Sequence, residues 1–92
     1  MRDHATAFLN LIGRQPLIPV IRIERVSDAV PLARALARGG LPAIEITLRT
    51  DAALEAIRTA RAEVPEAIVG AGTVLGPVQF DEVVAAGASF IV

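Results

Sequence analysis

Residues 41–50 (L-P-A-I-E-I-T-L-R-T) read as a strand in which apolar and polar positions alternate from Ile44 to Arg49. Successive side chains on a strand leave opposite faces, so Ile44, Ile46 and Leu48 share one face and Ala43, Glu45, Thr47 and Arg49 the other. Residues 16–23 form an apolar run with one charge near its end, the pattern of a strand covered on both faces. Pro19 predicts an irregularity there, because proline donates nothing to a ladder. Residues 67–73 (A-I-V-G-A-G-T) read as a strand entering a glycine-rich turn, and residues 89–92 as a fourth strand.

Between these runs the period becomes helical. Ala29, Leu32, Ala33, Leu36 and Ala37 form an i, i+3, i+4, i+7, i+8 stripe, with Ser27 as its expected cap, Pro31 in its first turn and Gly39-Gly40 at its end. Ala53, Ile57, Ala60 and Val64 form the next stripe, with Glu55, Arg58, Arg61 and Glu63 outside it. Thr50-Asp51 is the expected cap of that helix and Pro65 its stop. Pro77 opens a third helix with Phe80, Val83 and Val84 as its apolar face and Gly87 at its end. A short helix over about 3–12, capped by Asp3, precedes the first strand.

Strands thus start near residues 17, 42, 67 and 89, and helix, glycine and strand recur in each unit, which is a βα repeat. Residues 1–92 are predicted to be a single partial domain of α/β class, with four parallel strands, three crossover helices and one leading helix. That is the N-terminal half of a (β/α)8 TIM barrel, whose complete form exceeds roughly 200 residues. The alternative is an open doubly wound sheet. It would cover both faces with helices and leave Glu45 and Arg49 little room, whereas a barrel gives their face a lumen with an open mouth.

Composition narrows the chemistry. The chain is 53% hydrophobic and 3% aromatic, and much of the apolar content is alanine, which suits close packing of helices on a sheet. A net charge of −1 advertises neither a nucleic-acid partner nor a membrane surface. The apolar runs are short of a membrane span and the N-terminus has no secretory pattern, so a cytoplasmic location is expected. Without cysteine there is no disulfide, thiolate metal site or cysteine nucleophile. With His4 as the only histidine, a Ser-His-Asp arrangement or multi-histidine metal site is not expected. All nine basic residues are arginines.

Glu45 is the candidate acid/base; the alternative is a solvated strand residue. Arg49 stands at the strand's C-terminal end, where βα units place their catalytic groups. At about 3.3 Å per residue it lies roughly 13 Å from Glu45, leaving room for a small anion between them. Thr73 faces the same way as Val69 and Ala71, and if the third strand pairs beside the second its hydroxyl reaches the Glu45 side of the lumen. Arg22 ends the first strand and is either a second cation at the mouth or a plain surface arginine. G-A-G-T lacks the third glycine of a dinucleotide loop and the lysine of a phosphate loop. Its glycines equally suit a close approach between strands.

The stretches I-E-I-T-L-R-T at 44–50 and V-P-E-A-I-V-G-A-G-T-V-L at 64–75 together resemble the N-terminal half of the 2-keto-3-deoxy-6-phosphogluconate (KDPG) aldolases, some of which also cleave 4-hydroxy-2-oxoglutarate (KHG). The resemblance runs from about Pro16 to Val92. It implies a class I, Schiff-base aldolase on a (β/α)8 barrel, assembled as a homotrimer, needing no cofactor and serving the Entner–Doudoroff pathway. Its small-molecule substrate is a keto-acid phosphate, split into pyruvate and glyceraldehyde 3-phosphate. By the same resemblance Glu45 is the proton-transfer residue, and Arg49 and Thr73 contact the pyruvate portion. Thr47 lies in the same motif as a further substrate-binding position, and Arg22 matches a strand-end arginine of some members. Such an enzyme condenses a lysine amine with the ketone and uses the iminium as an electron sink. A carboxylate must then move protons, and an arginine and a hydroxyl fix the keto-acid carboxylate. The family's lysine and phosphate loops belong to later strands, so these 92 residues alone are expected to be inactive. Two other readings stay open: a non-catalytic half-barrel whose copies cover each other's open faces, and another phosphosugar barrel reusing G-A-G-T.

Overall fold

The computed structural model describes residues 17–92; the leading helix expected over 3–12, and His4, lie outside them. The elements follow one another as β1 (Val20–Ile21), a 3-10 turn (Val26–Asp28) leading into α1 (Ala29–Arg38), β2 (Ala43–Thr47), α2 (Ala53–Glu63), β3 (Ile68–Gly72), α3 (Pro77–Ala86) and β4 (Phe90–Ile91). All strand pairs are parallel and the sheet order is β1-β2-β3-β4. Crossovers of one hand, taken without reversal, put every helix on the same face of the sheet. Accordingly α1 packs on α2 and α2 on α3. A doubly wound sheet needs a point where strand order reverses. No such point exists among the described strands, and the arrangement is part of a barrel wall.

The register assigns the two faces. Ile44 pairs with Val69 and Ile46 with Ala71, so these four share the helix-covered face, and none is more than 1% exposed. Against them lie Ala53, Ala56, Ile57 and Ala60 of α2, all buried. Three alanines on that stripe let the helix backbone approach the sheet closely. The predicted stripe of α2 is borne out in full, with Glu55, Arg58, Arg61 and Glu63 exposed on the other side.

The predicted face of α3 is not. Val83 and Ala86 are buried, but Phe80 is 49% and Val84 38% exposed. α3 packs on α2 along one flank, and no described element covers its other flank. The caps also differ from expectation. Ser27 sits inside the 3-10 turn, and no side chain caps α1. Nor does one cap α2, because the Thr50 hydroxyl donates instead to the Ile23 carbonyl across the sheet. The helix ends are as the glycines predict. After α1, the Gly40 N–H donates to the Ala37 carbonyl and the Leu41 N–H to the Leu36 carbonyl; after α3, Gly87 and Ala88 bond Val84 and Val83 in the same way. This pattern needs a left-handed residue, and Gly40 and Gly87 have φ of 95° and 96°. β1 is shorter than its apolar run because its ladder begins only after Pro19, whose carbonyl accepts the Glu45 N–H at 2.9 Å.

Ile57 is fully buried between α2 and the sheet, so Ile57→Ala is expected to cost about 2–4 kcal/mol. Val84→Ala, on the uncovered flank of α3, should stay within about 0.5 kcal/mol. Urea unfolding of the two variants checks this contrast.

Candidate active site

The face opposite the helices carries the chemistry. One row across the ladder consists of Val20, Glu45, Gly70 and Phe90, which face each other in register. Thr47 and Gly72 pair two residues nearer the C-terminal edge. The expected grouping of Thr73 with Val69 and Ala71 on this face is therefore corrected. Val69 and Ala71 lie under the helices, and it is Gly70 and Gly72 that share the Glu45 side. Thr73 itself follows the end of β3 with φ 58°, so strand alternation no longer governs its direction.

Glu45 is half-buried, and its carboxylate forms no hydrogen bond or ion pair among the described residues. Its side chain lies across β3 onto Gly72. A Cβ built on Gly72 would have only Glu45 side-chain atoms as its three nearest neighbours, with Cδ at 2.7 Å and Cγ at 3.1 Å. A Cβ on Gly70 would meet the Phe90 ring in the same manner. Of the two readings of G-A-G-T, close approach between strands is the one the geometry supports: each glycine is a place for a neighbour's side chain to lie. Sequence reasoning offered the close approach without saying which side chains would use it. The available signal was the spacing of two, which puts both glycines on one face of a strand adjacent to the glutamate.

Arg49 and Thr73 leave adjacent strand ends. The Leu48 N–H donates to the Gly72 carbonyl at 2.9 Å, and each of the two residues follows one member of that bonded pair. Arg49 lies in the turn after β2 rather than in the strand, is exposed, and has no ion-pair partner among the described residues. It lines a cleft of about 360 Å³ between this turn and α3, with Asp51, Gln79 and Glu82 on the other walls. Thr47 is 5% exposed, and its hydroxyl donates to the Ile21 carbonyl at 3.4 Å, holding β2 to the end of β1. Arg22 is exposed and paired with Glu24 at 2.6 Å, a surface contact of the weak kind. The structure thus sets Glu45 on the helix-free face in the middle of β2 and places Arg49 and Thr73 just past the C-terminal ends of β2 and β3. The expected sharing of one face by Glu45 and Arg49 is corrected: with Arg49 in the turn, the cleft it lines opens toward α3 and includes neither Glu45 nor Thr73. The structure engages Thr47 in the sheet and turns Arg22 to a neighbour. Among the described residues no group of three His, Cys, Asp or Glu side chains could hold a metal ion.

Parallel βα units in unreversed order, with every helix on one face, are the wall of a (β/α)8 barrel. The family model for KDPG and KHG aldolase matches residues 9–92, and the chain belongs to that family. It is 48% identical over all 92 residues to the KHG/KDPG aldolase of Escherichia coli K12, and covers 43% of that protein. It is 49% identical to the 2-dehydro-3-deoxy-phosphogluconate aldolase of Dickeya dadantii, with the same coverage. Among solved structures, the KDPG aldolase of Legionella pneumophila, with pyruvate captured as a covalent carbinolamine, aligns with a TM-score of 0.79 and 50% identity over 83% of this chain and 37% of that one. The KDPG aldolase of Zymomonas mobilis with 3-phosphoglycerate aligns with a TM-score of 0.78. The chain therefore spans about two fifths of the length of these relatives.

A threonine in the left-handed region is strained, because its branched Cβ crowds the backbone. Of two variants that both lose the hydroxyl, Thr73→Gly should be more stable than Thr73→Ala by about 1 kcal/mol. In an ordinary strand position the order would reverse, so paired denaturation curves decide the matter.

Proposed function

We propose that this chain supplies the acid/base and the pyruvate-side contacts of a class I aldolase that splits KDPG into pyruvate and glyceraldehyde 3-phosphate. The observation carrying this reading is the half-buried Glu45 carboxylate, held on Gly72, with Arg49 and Thr73 just past the ends of the same two strands. In such a reaction an amine condenses with the C2 ketone with loss of water. A base takes the proton from the C4 hydroxyl, and the C3–C4 bond breaks as its electron pair moves into the iminium. The aldehyde departs, and C3 of the remaining enamine is protonated before hydrolysis releases pyruvate. Glu45 alternates as base and acid in these transfers. Arg49 holds the keto-acid carboxylate with charge-assisted hydrogen bonds, and the Thr73 hydroxyl adds one more. Arg22 and Thr47 contribute at the rim and in the sheet beneath it.

The amine is a lysine, and these 92 residues contain none. KHG is the second substrate on this reading. A cytoplasmic homotrimer and a place in the Entner–Doudoroff pathway are the accompanying family properties. Among the described residues no helix is long and apolar enough to cross a membrane.

Two measurements test the proposal. Treating the 92-residue polypeptide with pyruvate and borohydride should leave its mass unchanged, and a stoichiometric pyruvyl adduct would contradict it. Grafting the 92 residues in place of the matching segment of the Escherichia coli relative should give KDPG cleavage. In that graft, Glu45→Gln should lower kcat by about 10²-fold, the scale of a positioned acid/base. Full activity in Glu45→Gln would remove Glu45 from the mechanism.

A second reading applies to the 92-residue polypeptide alone. Leu75 (82%), Phe80 (49%) and Val92 (73%) are exposed around an apolar groove beside the edge strand β4. An uncovered edge next to apolar surface favours self-association of half-barrels. Sedimentation velocity at rising concentration should show association; a concentration-independent monomer would count against it.

A further inference from the structure

We propose that Gly72 is a positioning residue for Glu45, and that Phe90, seated on Gly70, closes the other place the carboxyl could occupy. The role assumed for Glu45 is the one given above; the seat itself is a matter of geometry.

Glu45 faces Gly70 directly across the ladder, yet its carboxyl is found over Gly72, two residues nearer the C-terminal edge. The space over Gly70 is filled from the other side. Phe90 pairs with Gly70 in the β3–β4 register, and its ring lies on the glycine so closely that a Cβ there would overlap three ring carbons. With the ring over Gly70 and the Ile68 side chain two residues the other way, Gly72 is the position on this face of β3 that presents neither a side chain of its own nor the ring. At about 3.3 Å per residue, Gly72 lies roughly 7 Å further along β3 than Gly70, on the side of the strand ends that Arg49 and Thr73 follow.

Gly72 can be tested without disturbing the fold. It lies in strand β3 and its φ is outside the left-handed region, so alanine suits the backbone. The atoms an alanine methyl would strike belong to the end of one flexible side chain, that of Glu45. Gly72→Ala should therefore fold as the parent does while displacing the carboxyl. A displacement of an ångström or more at a reacting group costs on the order of 10–10²-fold in rate.

In the aldolase graft, Gly72→Ala should lower kcat about 10-fold or more with KM for KDPG within about two-fold, and should shift the pH profile of kcat. In a Glu45→Gln background the same substitution should change kcat by less than about three-fold, since residues acting through one group are not additive. Phe90→Ala should also lower kcat, and Phe90→Leu, which keeps the space filled, should restore most of it. Equal losses from Gly72→Ala in the two backgrounds would overturn the proposal. The seat is read independently of activity in the 92-residue chain carrying 13C-labelled glutamate. Gly72→Ala should move the Glu45 carboxyl resonance and leave those of Glu55 and Glu63 in place. An unmoved Glu45 resonance would overturn the seat, whereas a fully active Glu45→Gln graft would instead overturn the aldolase role of Glu45.

Discussion

The register between β2 and β3 is the constraint from which the rest follows. On the covered face it sets Ile44 against Val69 and Ile46 against Ala71, the buried centre of the helix–sheet layer. On the other face the same pairing sets Glu45 and Thr47 against two glycines. A slip of one residue would exchange these faces, because side chains alternate with a period of two. It would bury Glu45 beneath the alanines of α2, where a carboxylate without a partner is costly. The apolar core and the position of the acid are thus one property of a single ladder, and the core's demand for Ile44 and Ile46 holds Glu45 outward.

Chain direction supplies the second condition. Every strand runs the same way, so the turns leaving β2 and β3 emerge at one edge and bring Arg49 and Thr73 to it. The bond from Leu48 to Gly72 ties those turns together before they diverge toward their helices. Thr73 occupies a left-handed conformation that a glycine would adopt more easily. Strained residues of this kind concentrate where a side chain is needed in a particular place. At the opposite edge the demands are only structural, and glycine is used: Gly40 and Gly87 end their helices in the same bonded motif.

On the aldolase reading, these 92 residues divide the labour of the reaction with the rest of the barrel. On that reading Glu45 is the group that moves protons, and Arg49 and Thr73 are the groups proposed to grip a keto-acid carboxylate. The nucleophilic amine must come from elsewhere in such an enzyme. Separating the amine from the acid/base across strands suits a closed barrel, where inward-facing residues of different strands meet at one mouth.

Much of this was legible in the residues themselves. Periodicity is a local property, so the alternation of 44–49, the stripe of α2 and the glycine and proline boundaries could be read directly, and so could the βα repeat. The I-E-I-T-L-R-T and G-A-G-T stretches were enough to point to the aldolase family. What could not be read was whatever depends on a neighbour supplied from far along the chain. Thr50 bonds Ile23 rather than capping α2, and Val69 and Ala71 face the helices because of how β3 pairs with β2. Phe80 and Val84 are exposed because helical period says which residues share a face, not whether anything packs on it. The two glycines are the clearest case. Their spacing is written in the sequence, but that one receives Phe90 and the other Glu45 is decided only when three strands lie side by side, because a missing side chain has no meaning until another occupies its space.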